Sequence, residues 1–400
     1  MPAARSSPRP RPPRAAPRVA LLVETSLASG RDILRGIARA AKERGPWSLY
    51  HAPGSLEESV PRWIDRWQGD GIIARVTSPE MAHLLRGTGL PVVDVLGLVP
   101  EAAFPLVHVD NAAIGRLACA HLAERGFRRF ACCGIAGENW SQQRRDAFLA
   151  QARATDPSPS LHETSPALQS GIPWEERQNR LAHWLQSLPK PVGLLVCSDQ
   201  LGSDVLEACR RAAISVPDTI AVVGVDNDEP LCEVCQPALS SIWPDHAAVG
   251  YQAAALLDQL MSGHPPPPGP QFIAPKTLIV RQSSDVLAVD DPAVSAALHF
   301  IREHACHPIT TDEVARHAGT SRSVLQRRFQ THLGQTIHTQ IVQARLKRAT
   351  ELITSTDLPL LDIAERCGFQ HQEYMGKVIK DRLGRTPGDL RRAARRSSGI

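Results

Sequence analysis

The most constraining feature of this 400-residue chain is a pattern in its last hundred residues that occurs twice. The first copy runs VARHAGTSRSVLQRRFQTHLGQT from Val314, and the second runs IAERCGFQHQEYMGKVIKDRLGRT from Ile363. Matching residues lie forty-nine positions apart before the turn and fifty apart after it, so the second copy has one extra residue in its turn. A repeat that agrees in register and in turn indicates one supersecondary unit used twice, and two unrelated helical hairpins become the weaker explanation.

Each copy predicts a helix-turn-helix, with a short first helix, a glycine in the turn and a second helix. Gly319 and Gly368 are the turn glycines, which tolerate the positive φ that a tight turn needs. The inward apolar pairs, at i and i+4, are Leu325 with Phe329 and Met375 with Ile379. The side chains left facing outward are Arg322, Ser323, Gln326 and Arg327 in the first copy, and Gln372, Glu373, Gly376 and Lys377 in the second. Because such side chains reach base edges and phosphates, we expect double-stranded DNA as a partner.

The doublet resembles the DNA-binding module of the AraC/XylS transcription factors. Its second copy carries that family's I-A-x-x-x-G-F and G-x-T-P patterns at 363–369 and 384–387. Met375 and Ile379 stand where the family usually has phenylalanine, and Gly376 lies inside the second helix of the copy. A glycine in a helix interior costs about 1 kcal/mol of helix stability relative to alanine. We therefore expect the DNA-contacting helix of the second copy to be the less rigid of the two.

Length and charge set further limits. A chain of 400 residues exceeds one ordinary hydrophobic core, so we expect two or three domains. No apolar run approaches the eighteen residues of a membrane span, which predicts a cytoplasmic protein without membrane contact. The net charge of +4 is uneven: residues 1–18 carry five arginines and no acid, and residues 291–400 carry seventeen basic and eleven acidic side chains. The two ends therefore carry the surface best suited to phosphates.

The nine cysteines are irregularly spaced, and Cys232 with Cys235 forms the only C-x-x-C. One such pair without a second is weak evidence for a metal, so we expect reduced thiols and no metal site. No G-x-G-x-x-G follows the first apolar segment and no Walker A sequence occurs, so we also expect no cofactor.

From residue 18 onward, apolar segments alternate with amphipathic ones in the rhythm of a doubly wound α/β sheet. Strands are predicted at 19–24, 48–51, 71–76, 91–96, 129–134, 193–197, 220–225 and 277–281. Helices are predicted at 31–44, 114–125, 140–155, 174–187, 199–213 and 246–261. The strands are almost wholly apolar, which is typical of parallel strands buried on both faces.

Polar residues that follow the carboxyl ends of these strands form the candidate ligand site, because open α/β sheets bind ligands at that edge. They are Arg31, Asp110, Arg144, Asp199 and Asp226, with the indole of Trp174 added. Carboxylates accept pairs of hydroxyls, guanidinium groups donate in a fork, and a flat ring covers the apolar face of a sugar. A single aspartate after a strand more often caps the next helix, so only the set as a whole predicts a sugar.

The first two thirds of the chain resemble the sugar-binding core of the LacI/GalR regulators, which is itself periplasmic-binding-like. The matching pieces include V-x-V-D-N at 107–111, G-x-x-A-x-x-H-L-x-x-x-G at 115–126 and the segment VPDTIAVVGVDNDE at 216–229. The resemblance places five of the six candidates on the family's ligand-contacting positions, with Arg31 as a looser transfer. It implies a two-subdomain sensor followed here by an all-α domain with two helix-turn-helix motifs.

A LacI-like sensor joined to an AraC-type module is similar to the bacterial xylose-operon regulators. The similarity extends over nearly the whole chain after residue 17, with close matches in QNRLAHWLQSLP from Gln178 and DPAVSAALHFIREHAC from Asp291. It implies a D-xylose effector, a homodimer, and activation of transcription through RNA polymerase. Four segments are expected: a disordered tail at 1–17, a sensor at 18–284, a linker at 285–291 and the DNA-binding domain at 292–400, with the motifs at 310–333 and 359–383.

Several alternatives share parts of this pattern. The same architecture would serve another monosaccharide, or a repressor in place of an activator. A sugar-capturing transport protein would use the same core, but it would need an export signal and no DNA module. A glycosidase would need a carboxylate pair such as Asp199 and Asp226, whose separation the sequence does not give. We therefore predict a sugar-responsive, sequence-specific transcription regulator and not an enzyme.

Overall fold

The structure is a computed structural model that describes residues 16–51, 63–165, 171–286, 289 and 291–397. The chain divides into two compact units, Met1–Val286 and Leu287–Ile400. Most of the predicted tail, residues 1–15, lies outside the described residues, as do positions 287, 288 and 290 of the predicted linker. The predicted fold class is confirmed, because the first unit is a doubly wound α/β structure and the second is all-α.

The first subdomain of the first unit contains a parallel sheet and the helices that cover it. Its elements are β1 (Arg18–Leu22), α1 (Ala28–Arg44), β2 (Ser48–His51), β3 (Gly71–Ala74), α2 (Pro79–Gly87), β4 (Val92–Asp94) and β5 (Val107–Val109). The strand order is β2-β1-β3-β4, and a bridge between Asp94 and Leu106 connects β4 with the start of β5. The buried strands consist of apolar residues throughout, as in Gly71–Ala74, which explains why composition alone located them.

The second subdomain contains a larger, mostly parallel sheet and the helices that cover it. Its helices are α3 (Asn111–Glu124), α4 (Asn139–Ala152), α5 (Trp174–Ser187), α6 (Asp199–Arg211) and α7 (Glu229–Val234). Its strands are β6 (Phe130–Ile135), β7 (Ser160–Thr164), β8 (Val192–Val196), β9 (Ile220–Val225), β10 (Ser240–Trp243) and β12 (Thr277–Ile279). Their order is β12-β10-β9-β8-β6-β7, with β12 antiparallel to β10 and the other pairs parallel.

The chain passes between the two subdomains at three crossings. The first crossing is at Asp110, between β5 and α3, and the second leads from β10 to α8 (His246–Met261). The third lies between β11 (Gln271–Ile273), which pairs with β5, and β12. The helix α8 returns to the first subdomain and packs on α1.

Two glycines allow α1 and α8 to touch backbone to backbone. A Cβ atom added to Gly36 would lie 1.9 Å from the carbonyl oxygen of Ala247, and one added to Gly250 would lie 2.0 Å from that of Ile33. No larger residue fits at either position without separating the helices. The close contact between α1 and α8, here called the seam, therefore requires glycine at both positions.

The second unit consists of helices with two apolar cores. The helices are α9 (Pro292–His304), α10 (Thr311–His317), α11 (Arg322–Leu333), α12 (Ile337–Ser355), α13 (Leu360–Arg366), α14 (Gln372–Leu383) and α15 (Pro387–Ser397). The first core contains Leu325 and Phe329, and the second contains Met375 and Ile379, all fully buried as predicted. The turn glycines have positive φ, 65° at Gly319 and 74° at Gly368. Both helix-turn-helix motifs are thus present, α10 with α11 and α13 with α14.

Candidate functional site

A cluster of charged and polar side chains, here called the strand-end cluster, lies at the carboxyl edges of the two larger sheets of the first unit. Its members are Glu24, Arg75, His108, Arg144, Asp226 and His246. Glu24 follows β1, Arg75 follows β3 and Asp226 follows β9, so the parallel topology brings the strand ends together. Arg144 and Asp226 were predicted from the sequence, whereas the other four members were not.

Arg144 makes most of the contacts that the second subdomain contributes to the strand-end cluster. Its side chain is only 4% exposed and lies 3.6 Å, Nη2 to Oδ1, from Asp226. Nε donates to Asn111 Oδ1 at 2.9 Å and Nη1 donates to the Cys197 carbonyl at 2.6 Å. The guanidinium group also faces the Trp140 ring, 4.9 Å from its centroid. These contacts fix the plane of the fork, as a group that orients a ligand requires.

Asp226 has an unusual backbone. Its φ is +111°, a region that non-glycine residues rarely adopt, and its amide donates to the Ile242 carbonyl at 3.0 Å. Burial alone would raise the pKa of the Asp226 carboxyl, but the charges of Arg144 and His246 outweigh it and lower that pKa below its ordinary value. The carboxylate is therefore charged at neutral pH and is held at the edge of the sheet by a strained backbone.

The first subdomain contributes a buried ion pair. Arg75 Nη1 contacts Glu24 Oε1, and Nη2 donates to Ser29 Oγ at 3.0 Å. The two side chains are 8% and 6% exposed, so both charges are removed from bulk water. A buried pair of this kind costs free energy on desolvation and is weak evidence for a purely stabilising role.

Two histidines complete the strand-end cluster. Burial, with the charges of His246, Arg75 and Arg144, lowers the pKa of His108 to about 3, and burial also lowers the pKa of His246. His108 Nδ1 lies 3.1 Å from the Val95 carbonyl, while its Nε2 has no hydrogen-bond partner among the described residues. Neither ring nitrogen of His246 makes a hydrogen bond there; Nε2 lies 3.6 Å from Asp226 Oδ1. His108 is the variable position of V-x-V-D-N, which is the signal that sequence reasoning overlooked.

Arg31 links the two subdomains. Its Nη1 donates to the carbonyls of Thr25 and Ser26 at 2.9 Å, and its Nη2 lies 3.6 Å from Asp228 Oδ2. Arg31 is on α1 and Asp228 follows β9, so this contact bridges from the first subdomain to the second. Its side chain is 46% exposed, which places it at the rim.

Asp110 and Asp199 have mainly structural partners. Asp110 caps α3 by accepting from Ala113 N at 2.8 Å. Asp199 is fully buried, and its Oδ1 accepts from Ser241 Oγ at 2.6 Å. Its Oδ2 accepts from Asp228 N at 2.8 Å and from the Cys232 thiol at 3.4 Å. Burial and the charge of Asp226 raise the pKa of the Asp199 carboxyl to about 7.

The structure does not bring Trp174 to the strand-end cluster. Its side chain is 40% exposed, and the Arg211 guanidinium group lies 4.4 Å from its ring. It lines a cavity of about 330 Å³ together with Gln178 and Asp204, and no member of the cluster lines that cavity. Of the six sequence-predicted residues, Arg144 and Asp226 are therefore in contact with one another. Arg31 and Asp199 both contact Asp228, which lies in the same loop as Asp226.

The second helix of each motif, α11 or α14, is called the reading helix below, and these two helices carry all eight predicted DNA-contacting residues. The exposed members are Arg322, Ser323, Arg327, Glu373 and Lys377, and the partly exposed ones are Gln326, Gln372 and Gly376. Gln326 Oε1 accepts from Ile337 N at 3.4 Å, so this side chain is partly engaged within the protein. Tyr374, which is 46% exposed beside Glu373, was not predicted.

Among the described residues, no helix has both the length and the apolar character that crossing a bilayer requires.

A two-subdomain ligand-binding fold joined to paired helix-turn-helix motifs defines a ligand-responsive transcription regulator. Residues 119–284 match a periplasmic binding protein-like domain, and residues 314–393 match a helix-turn-helix domain. The chain is 33% identical over 388 residues to the xylose operon regulatory protein of Escherichia coli K12, covering 94% of this chain and 96% of that protein. It is 32% identical over 382 residues to the protein of the same name from Haemophilus influenzae, covering 94% and 98%. The chain therefore belongs to the family of xylose operon regulatory proteins.

Solved structures agree with this assignment. A structure described as a xylose-binding transcription activator has a TM-score of 0.78 at 31% identity, covering 95% of this chain and 99% of that one. A LacI-type regulator from Alkaliphilus metalliredigens, 22% identical, shares the sensor fold with a TM-score of 0.54 over 67% of this chain and 99% of its own. The protein is an AraC-type DNA-binding regulator with a periplasmic-binding-like sensor, and not an enzyme.

Proposed function

We propose that D-xylose binds at the strand-end cluster and that its binding controls how the two reading helices engage DNA. The observation that carries this proposal is a set of buried polar atoms, contributed by both subdomains, that have no hydrogen-bond partner among the described residues: His108 Nε2, both ring nitrogens of His246, Arg75 Nε and Asn227 Oδ1. Buried polar groups are normally satisfied, so unsatisfied ones grouped at the ligand edge of two sheets favour a polyhydroxyl ligand.

The roles proposed for the residues follow from their contacts. Arg144 and Arg75 would donate to sugar hydroxyls, and Asp226 would accept from them. Arg31 would close the rim through Asp228, and Asp110 would act through the crossing that it caps. Asp199 would support the loop that carries Asp226, because it accepts hydrogen bonds from the Asp228 amide of that loop and from Ser241 of β10. Trp174 would form the wall of the neighbouring cavity, facing away from the sugar.

The choice of D-xylose is supported by the relatives. The regulators from E. coli and H. influenzae are named for the xylose operon, and the similar solved structure is described as xylose-binding. A different monosaccharide in the same cluster is the second candidate, because the same donors and acceptors would serve any pentose or hexose of similar shape.

We further propose the route from sugar to transcription. The sensor would comprise residues 18–284, the linker 285–291 and the DNA-binding domain 292–400, in a cytoplasmic homodimer. Closure of the two sensor subdomains would change how two copies pair and thereby alter the spacing of their DNA-binding domains. The eight outward residues of the reading helices would contact DNA, and contact with RNA polymerase would make the protein an activator.

The helix between the two motifs is suited to this arrangement. The nineteen residues of α12 span about 28 Å at 1.5 Å per residue. Successive major grooves on one face of DNA are about 34 Å apart, so reading helices at the two ends of such a spacer would enter neighbouring grooves.

The decisive test compares D-xylose with its mirror image. D-xylose and L-xylose offer the same hydroxyls, so only a built chiral site separates them. At a hundred times the Kd, D-xylose should raise the free energy of unfolding by about 2.7 kcal/mol, and L-xylose should have no effect. If D-xylose gives no shift while D-ribose, L-arabinose or D-glucose does, the effector is wrong and the sensor proposal stands.

Adjacent arginines provide a matched control for the site. Arg144→Ala should abolish the D-xylose shift, because it removes the fork that faces Asp226. Arg145→Ala should leave the shift intact, because Arg145 points away and pairs with Glu163 and Asp146. Equal loss in both variants, with unchanged melting of the ligand-free protein, would contradict this location of the site.

A further inference from the structure

The second unit contains a pair of cysteines that the functions described above do not use. Cys306 lies in the loop between α9 and α10, and Cys367 is the residue that follows α13. Cys306 is partly exposed and Cys367 is fully buried. Although the two residues are far apart in the sequence, their backbones are adjacent, because Gly368, which follows Cys367, packs against the carbonyl of Cys306.

The backbones that carry these thiols are held against each other. A Cβ atom added to Gly368 would lie 2.8 Å from the Ala305 carbonyl oxygen and 2.9 Å from that of Cys306. On the other side of the loop, Arg345 of α12 donates from Nε to the Ala305 carbonyl at 2.6 Å and from Nη2 to the His307 carbonyl at 3.2 Å. The loop is thus fixed between α12 and the turn of the second motif, and the thiol contact belongs to the packed structure.

The surroundings of Cys306 favour the thiolate. The hydrogen bond from Cys367, together with the charges of Arg348 and Arg345, lowers the pKa of the Cys306 thiol below its ordinary value even though burial opposes this. The same neighbour and burial raise the pKa of the Cys367 thiol. A partly exposed thiolate beside a second thiol is the usual arrangement of an oxidation-sensitive cysteine with its resolving partner.

We propose that Cys306 and Cys367 form a reversible thiol-disulfide site, oxidised by a peroxide, that ties the loop after α9 to the end of α13. The Cys306 thiolate attacks one peroxide oxygen, forming a sulfur–oxygen bond, breaking the oxygen–oxygen bond and releasing hydroxide, which takes up a proton. The Cys367 sulfur then attacks the sulfenic acid, the sulfur–oxygen bond breaks, and water leaves with the thiol proton. Two thiols are oxidised to a disulfide and the peroxide is reduced to two waters.

The other cysteines explain why the reaction should be selective. All seven in the first unit are buried, and burial raises the pKa of Cys133 and of Cys209. Cys132 and Cys197 have their sulfurs 3.9 Å apart, but both side chains are fully buried. This second pair is an internal control, since it has thiol proximity without access for the oxidant.

The test uses the reduced full-length protein, hydrogen peroxide and a tryptic digest under non-reducing conditions. Cleavage after lysine and arginine leaves Cys306 in peptide 303–316 and Cys367 in peptide 367–377, each as its sole cysteine. We expect these peptides to become linked, with two hydrogens lost and dithiothreitol reversing the bond. The rate should rise with pH and reach its midpoint below the pKa of about 8.5 of a free cysteine. In the oxidised protein the melting temperature of the second unit should rise, on the order of 10 °C.

Variants decide the assignment. Cys306→Ser and Cys367→Ala should each abolish the link, while Cys132→Ala should leave it unchanged. Since Cys306 is partly exposed, its serine variant tests the proposal even if the Cys367 variant is poorly folded. The proposal is overturned if peptide 303–316 is recovered as an unlinked sulfinic acid, if peroxide links Cys132 to Cys197 instead, or if no link forms at tenfold excess.

Discussion

The reading helix of the first motif is capped by Ser321, whose hydroxyl accepts a hydrogen bond from Val324 N at 3.4 Å. The cap position of the second reading helix is His371, whose side chain makes no such hydrogen bond. Arg328 of the first also donates to both carboxylate oxygens of Asp291, at 3.1 Å each, and Asp291 caps α9. The second reading helix instead contains Gly376 at its middle.

The repeated residues specify the same helix-turn-helix fold in both motifs. They do not specify how stable each reading helix is, because the caps and the contacts outside the repeat differ. The shared residues, the turn glycine and the inward pair, determine where the helices begin and pack. The additional contacts come from residues outside the shared pattern, namely Asp291, which caps α9, and Ser321, which caps α11. We therefore expect the first motif to supply most of the rigid base recognition and the second to adapt.

The largest effect should come from truncating the inward pairs. Both Phe329 and Ile379 are fully buried, each in its own core. Phe329→Ala should cost about 3–5 kcal/mol, and Ile379→Ala about 2–5 kcal/mol, because each leaves a cavity. Urea unfolding of the full-length variants, followed by hydrogen exchange within each motif, measures both losses. If Ile379→Ala proves the more damaging, the first motif is not the firmer one.

A smaller effect is expected at the DNA surface. Arg327→Ala should cost about 1–3 kcal/mol at one base position if its fork reads guanine. Lys377→Ala should weaken binding equally on all sequences and lower the salt dependence by about one charge. Duplexes selected from a random library by the wild-type protein serve as the probe. If Arg327→Ala weakened binding equally on all sequences, Arg327 would be a phosphate contact. Base recognition by Arg327 would then no longer distinguish the first motif from the second.

The caps provide a reciprocal test. Ser321→Ala should destabilise the first motif by about 1 kcal/mol, because the Val324 amide loses its partner. His371→Ser should stabilise the second by up to about 1 kcal/mol, because the backbone at His371 is already extended, with φ −139° and ψ 140°. Chemical denaturation of both variants gives the comparison, and a neutral His371→Ser would show that something other than the missing cap softens α14.

An effect of similar size to those of the caps should come from Gly376. An added Cβ meets nothing within 4 Å, and the position lies within a regular helix, so Gly376→Ala should stabilise the second motif by about 1 kcal/mol. Gly384→Ala is the matched control, because Gly384 ends the same helix with a φ of +66° and should lose stability on substitution. If both variants behave alike, helix propensity is not what separates the motifs.

The sequence predicted most of the fold because its buried strands are apolar throughout and its helices are periodic. The strands at 48–51 and 220–225 and the helices at 174–187 and 246–261 have the predicted ends. The helix α2 was missed because it is short and starts at Pro79, and β7 was missed because its alternate residues are exposed at the sheet edge. Short or half-exposed elements depend on tertiary neighbours, which a single sequence does not display.

The candidate site was predicted only in part, for a related reason. The rule that polar residues follow strands found Arg144 and Asp226, but it does not reveal which way a carboxylate points. Asp199 satisfies the rule and yet has its oxygens bonded to Ser241, Asp228 and Cys232. The Glu24 and Arg75 pair joins residues fifty-one positions apart, a contact that only the folded sheet creates.

The close seam between α1 and α8 has a consequence for movement. Because Gly36 and Gly250 lie against carbonyls of the opposing helix, α1 and α8 cannot slide on one another without a backbone collision. We therefore expect any movement of one subdomain against the other to be concentrated in the three short crossings. The two glycines also tie the position of His246 of the strand-end cluster, one helical turn before Gly250 in α8, to the packing of α1.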